Sequence, residues 1–121
     1  DMSTIRGWWE ENREETNWFY NNVLGHFGEA PQYCESWVCR KIIAQHLEST
    51  AMWSIFQLQD ILGMSDKLRR ENPQDERINN PANPKHYWQY RMHISLEDLI
   101  KEKDFNQELK GYIDNCGRGA Q

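Results

Sequence analysis

Ala51-Met52-Trp53-Ser54-Ile55-Phe56-Gln57-Leu58 is the stretch on which the fold turns. It is nearly continuous in apolar character and of strand length. Such a run fits a strand buried on both faces, as in a parallel sheet, while run length alone leaves a buried helical segment open. Gln59-Asp60 come next, and then a short amphipathic stretch from Ile61 to Leu68. A carboxylate between a strand end and a helix start is where α/β barrels keep their chemistry. Asp1 is placed in the same way, a bare carboxylate ahead of a helix start at Thr4. The expectation is therefore that a strand precedes Asp1 and that the chain is the tail of an enzyme.

Outward from that run, the pattern is helical. Residues 4–24 read as one helix, with Thr4 as its cap and Glu10, Glu11, Glu14 and Glu15 in its N-terminal half, where the macrodipole favours acids. Trp8, Trp9, Phe19, Tyr20, Val23 and Leu24 form a broken apolar stripe, and Gly25 and Gly28 stop it. Ser36 is read as the cap of a second helix to about His46, with Val38, Cys39, Ile42, Ile43 and Leu47 at helical spacing. Pro73, Pro81 and Pro84 exclude a regular helix across much of residues 69–94. That region carries Trp88, Tyr90 and Arg91 and is too aromatic for an idle linker, so it reads as a functional loop. Ser95 to Asp98 resembles a capping box for a helix to about Lys101, and Asp104 to Cys116 a last helix ended by Gly117.

With 121 residues, the chain holds one domain. Leu, Ile, Val and Phe together number only 23, at the edge where disorder becomes an alternative. Six Trp, five Tyr and four Met argue against disorder and suggest apolar surface meant to pack on other sequence. The formal net charge of −5 and the pI near 5.3 disfavour nucleic acid as a partner. No apolar run approaches a membrane span. Cys34, Cys39 and Cys116 are too few and odd for a disulfide framework, so a reducing, cytoplasmic setting is expected. Cys34 and Cys39, flanked by His26 and His46, match no zinc-ligand spacing, so neither a metal nor a Cys–His nucleophile is expected.

The carboxylates carry more. Glycoside-type chemistry needs one carboxylic acid for the leaving oxygen, one carboxylate facing the sugar cation, and groups that hold ring hydroxyls. Asp1, Asp60 and the loop around Asn79 could share one rim if Asp1 ends one barrel strand and residues 51–58 form the next. For Gln59 and Asp60 the competing reading is capping of the adjoining helix; for Asn79 it is a turn beside Pro81. Arg77 and Arg91 can anchor the loop through carboxylates, and Trp8 and Trp9 read as packing residues. Trp88 could stack on a sugar or anchor the loop in a buried site.

Three separate stretches resemble a known family. Asp1-Met2-Ser3-Thr4-Ile5-Arg6-Gly7-Trp8-Trp9 resembles the stretch after the His-Asp pair of the 4-α-glucanotransferases of glycoside hydrolase family 77. Ile55-Phe56-Gln57-Leu58-Gln59-Asp60-Ile61-Leu62 is similar to that family's last barrel strand. Glu76-Arg77-Ile78-Asn79-Asn80-Pro81-Ala82-Asn83-Pro84, continuing to Trp88-Gln89-Tyr90-Arg91, resembles its Arg-Met-Asn-x-Pro-Gly segment and the aromatic motif after it. Ile78 stands where the family has Met, Ala82 where it has Gly, and Tyr87 where Asn precedes Trp.

The resemblance implies the C-terminal part of an α/β (β/α)₈ TIM barrel, about its last two units, mostly helical as an isolated chain. Residues 1–68 would hold helices and the last strand, 69–94 the active-site loop, and 95–121 the C-terminal helices. It also implies retaining transfer of α-1,4-glucan segments, with a glucan as partner and no cofactor. The family's nucleophilic Asp and acid/base Glu would lie upstream. Asp1 matches the third catalytic Asp, Asn79 an Asn of the substrate groove, and Gln59 and Asp60 positions at the barrel rim. By itself the chain is expected to be inactive. The alternative from another class is a non-catalytic helical protein-interaction module.

Overall fold

Thr4 begins the first helix: its backbone is extended, and its hydroxyl accepts from the Gly7 N–H at 3.0 Å. The computed structural model describes residues 2–86 and 88–119; Asp1, Tyr87, Ala120 and Gln121 lie outside them. Helix α1 runs Ile5–Glu11 and α2 Arg13–Asn22, so the single helix expected over 4–24 is two. Asn12 makes the break, with φ −139° and ψ 100°. Its side chain accepts from Glu15 N, which caps α2. Fully buried Thr16 ties the two together, donating to the carbonyls of Asn12 (2.8 Å) and Trp9 (3.0 Å). Gly25 and Gly28 come after α2 at φ 74° and 85°, a region that penalises any Cβ.

Helix α3 spans Ser36–Glu48, with Glu35 rather than Ser36 at its N-cap and no side-chain cap bond. Its Val38, Cys39, Ile42, Ile43 and Leu47 are all buried and form the centre of the core. Fully burying side chains of this size contributes about 1.5–3 kcal/mol each. Trp9, Leu62, Met64, Leu68 and Phe105 close around them. Trp9 also donates its indole N–H to the Pro31 carbonyl at 2.8 Å, pinning the 29–34 connector over α1. Helix α4 is short, Leu58–Leu62; a 3₁₀ turn covers Pro73–Glu76; α5 is Leu96–Lys101 and α6 Lys103–Asn115. Ser95 caps α5 by accepting from Asp98 N at 3.1 Å, as the sequence suggests. Helices α4 and α6 both pack on α3.

The strand expected over residues 51–58 is absent; no strand occurs among the described residues. Residues 51–57 are irregular and Leu58 opens α4. Gln57 has strand-like torsions (φ −69°, ψ 143°), but a strand requires a neighbouring backbone to pair with, and none runs beside this one among the described residues. Burial is corrected too. Met52, Trp53 and Ile55 are 84%, 78% and 90% exposed, where a buried parallel strand would hide them. The Arg118 guanidinium instead gathers this stretch, donating to the carbonyls of Leu47 (2.7 Å), Ser49 (3.0 Å) and Ala51 (2.6 Å). No described helix is long and apolar enough to cross a membrane.

Candidate functional site

The start of α1 is where distant segments meet. Residues 2–9, α4 and the 3₁₀ turn converge there through four polar contacts. The Asp60 carboxylate accepts from Ile5 N at 2.7 Å, 55 residues away in sequence. Gln57 donates its side-chain amide to the Ser3 carbonyl at 3.4 Å, and Gln59 donates to the Glu76 carbonyl at 3.1 Å. Arg6 and Glu76 form an ion pair at 2.7 Å with both side chains buried. Arg6 also donates to the carbonyls of Arg70 (2.7 Å) and Glu71 (3.3 Å), so one guanidinium fixes the whole turn into the loop. Nearby, Arg77 pairs with Glu11 of α1 at 3.2 Å.

Asp60 therefore caps a helix, but not the one in which it sits. It satisfies the exposed N-terminal amide of α1 rather than of α4, whose N-cap Gln57 makes no side-chain cap bond. Burial raises its carboxyl to a pKa of about 6, against the opposing pull of the Ile5 N–H and with a further push from Glu76. The Glu76 carboxyl is raised as well, since burial outweighs its pairing with Arg6. Two buried carboxyls thus meet at this junction, Glu76 paired with Arg6 and Asp60 held by the Ile5 N–H. Arg6 and Glu76 carry most of this junction, and sequence reasoning does not pair them. Their separation of 70 residues leaves no local pattern to find.

A cavity of about 570 Å³ opens beside Asp60. Trp8, Phe19 and Phe56 give it aromatic walls, and Gln45, His46 and Asp60 supply polar edges. Trp8 meets Phe19 edge-on at 5.5 Å, and Phe56 meets His46 likewise at 6.1 Å. Aromatic faces beside a carboxyl suit the apolar faces and hydroxyl edges of a sugar ring. A second cavity of about 600 Å³ shares none of these lining residues.

Among the residues read as functional from sequence, Gln59 and Asp60 come together at this junction. Gln59 is only 4% exposed, its amide spent on backbone. Asn79 is half-buried, three residues beyond Glu76 on the loop. Asp1 lies outside the described residues. Trp88 is 64% exposed and so is no buried anchor. Arg77 does anchor the loop through a carboxylate, as expected, whereas the Arg91 carbonyl serves as an acceptor for Arg70. His26 stacks on Tyr20 and His46 binds the Ile42 carbonyl. Among the described residues no group of three or more His, Cys, Asp or Glu is gathered for a metal.

The three segments joined here are those that carry the family resemblance. The family model described as 4-alpha-glucanotransferase matches residues 1–97. The chain is 41% identical over 118 residues to 4-alpha-glucanotransferase DPE2 of Oryza sativa subsp. japonica, covering 98% of this chain and 12% of that protein. It is 32% identical to 4-alpha-glucanotransferase DPE1, chloroplastic/amyloplastic, of the same plant, covering 92% of this chain and 17% of that protein. It is 30% identical to the 4-alpha-glucanotransferase of Aquifex aeolicus (strain VF5), covering 92% of this chain and 20% of that protein. No solved structure matches. The chain spans a fifth or less of the length of these curated relatives. On the family match and these identities, the chain belongs to the 4-alpha-glucanotransferase family.

Proposed function

We propose that this chain is a C-terminal piece of the (β/α)₈ barrel of a cytoplasmic enzyme that transfers α-1,4-glucan segments with retention of configuration. One observation carries the reading. The segment after Asp1, the Gln59-Asp60 turn and the loop bearing Asn79 are bonded into one junction, beside a cavity with aromatic walls. In this reading Asp1 is the third catalytic carboxylate. It hydrogen-bonds ring hydroxyls more strongly as the sugar flattens toward the oxocarbenium ion, which is differential binding of the transition state. A nucleophilic carboxylate elsewhere in the enzyme forms the glycosyl-enzyme, and a glucan hydroxyl replaces water as the acceptor. Asn79 contacts the glucan from the loop. Gln59 and Asp60 serve the groove as rim residues, holding the start of α1 and the loop at a fixed separation. Nothing in this chemistry calls for a cofactor.

The test is Asp1→Ala in the whole glucanotransferase that contains this chain, assayed by chain-length redistribution of a maltodextrin. Hydrogen bonds that strengthen in the transition state supply several kcal/mol, so turnover should fall about 100-fold or more with the circular dichroism spectrum unchanged. Near-normal turnover would refute the role given to Asp1.

A further inference from the structure

Cys34 and Cys39 lie with their sulfurs 3.7 Å apart, both side chains buried and nothing between them. Cys34 sits in the connector just ahead of α3, and Cys39 is near the start of that helix. The Arg69 guanidinium reaches to 3.8 Å of the Cys39 sulfur. Cys34 and Arg69 both line the 600 Å³ cavity, so a small solute in it reaches the Cys34 side of the pair, with the fully buried Cys39 sulfur 3.7 Å behind. Cys39 also touches the element bearing the candidate site: a Cβ built on Gly63, at the end of α4, would lie 3.1 Å from its sulfur. Arg69 opens the stretch whose next two carbonyls, of Arg70 and Glu71, hold Arg6.

We propose that Cys34 and Cys39 are a reversible, peroxide-oxidisable dithiol whose disulfide formation loosens the 65–71 segment. The hydrogen bond from Cys34, and then the Arg69 charge, hold the Cys39 thiol below the usual cysteine range. The Cys34 thiol is pushed far above that range by the same bond and by burial, which marks it as the proton-bearing partner. The Cys39 thiolate attacks hydrogen peroxide: an S–O bond forms, the O–O bond breaks, and the hydroxide released takes up the proton that Cys39 lost. The Cys34 sulfur then attacks the Cys39 sulfenic acid. The S–S bond forms, the S–O bond breaks, and the departing hydroxide leaves as water with the Cys34 proton. Two thiols are oxidised and one peroxide is reduced to two waters. A sulfur in a disulfide carries no charge for Arg69 to face, so the contact that ties residue 69 to α3 is lost.

The experiment treats the purified protein with hydrogen peroxide, alkylates it in denaturant and digests it with trypsin. Arg13 and Arg40 bound one tryptic peptide containing both cysteines. That peptide should appear unalkylated and lighter by two hydrogen atoms, and dithiothreitol should restore both thiols, while Cys116 stays alkylated throughout. In Cys34→Ser, peroxide should stop at a Cys39 sulfenic acid that dimedone traps. Amide hydrogen exchange across residues 65–71 should quicken in the oxidised protein. A wild-type peptide that keeps both thiols, or gains oxygen without losing hydrogens, overturns the pairing. Exchange across 65–71 that does not change on disulfide formation overturns the coupling.

Discussion

Replacing Asp60 by Asn should stabilise the protein at neutral pH and leave it unchanged in acid. Asp60 is 8% exposed, and its carboxyl has a pKa of about 6 against an ordinary 3.8. The acid form is the one that burial favours, so the folded state binds this proton more tightly than the unfolded chain does. Its stabilising contribution is fully present below about pH 3.8 and is lost as pH rises through about 6. The difference between those pKa values corresponds to about 3 kcal/mol. Asparagine keeps an oxygen for the Ile5 N–H and removes the buried charge. Asp60→Asn should therefore exceed the wild type by up to about 3 kcal/mol at pH 7.5 and match it near pH 3.5. Urea titrations monitored by tryptophan fluorescence read this as a midpoint higher by about 1–2 M at pH 7.5. Asp60→Ala loses the acceptor at the start of α1 and should fall below Asp60→Asn by about 1 kcal/mol at every pH. A wild-type-to-Asn difference that is absent at pH 7.5, or that does not vary with pH, would refute the reasoning. Glu76 titrates in the same direction and repels the Asp60 carboxylate, so removing that charge also relieves Glu76 and adds to the gain at pH 7.5.

Two further substitutions probe the same junction. Arg6→Met leaves the Glu76 carboxylate buried without its cation and should cost about 3–5 kcal/mol, whereas Arg6→Met with Glu76→Leu should recover most of that loss; a double-mutant cycle by urea denaturation checks both. Gly63→Ala puts a Cβ 3.1 Å from the Cys39 sulfur and 3.2 Å from the Asp60 carbonyl, and should lower stability by about 1–3 kcal/mol in the same titration. A neutral Gly63→Ala would mean that α4 shifts freely on α3.

What could be read from the sequence was what is set locally. The Thr4 cap, the stops at Gly25, Gly28 and Gly117, and the Ser95 cap all depend on bonds within about one turn, so residue spacing announces them. The break at Asn12 left a signal of the same kind, Asn12 with Glu15 three residues on, hidden by the acidic run around it. The 51–57 stretch failed for a different reason. Its composition describes a buried strand, but pairing depends on backbone elsewhere, and composition supplies none. The candidate site lies between these cases. Gln59 and Asp60 could be picked out by type and position, yet their bonds to Glu76 and Ile5 span 17 and 55 residues. No periodicity connects them.

The Arg118 clamp has a bearing on strand addition by another chain. An apolar stretch with bare amides and carbonyls is a template on which another chain can add a strand, and stacking of such pairs leads toward cross-β assembly. Residues 51–57 offer that template, with Met52, Trp53 and Ile55 exposed. Arg118 occupies the carbonyls of Ser49, Ala51 and, at 3.5 Å, Met52, and sets a positive charge at the head of the run. The uncovered remainder is shorter than the six- or seven-residue segments from which steric zippers are built. Arg118 thus shortens the stretch open to such pairing and places a charge beside it.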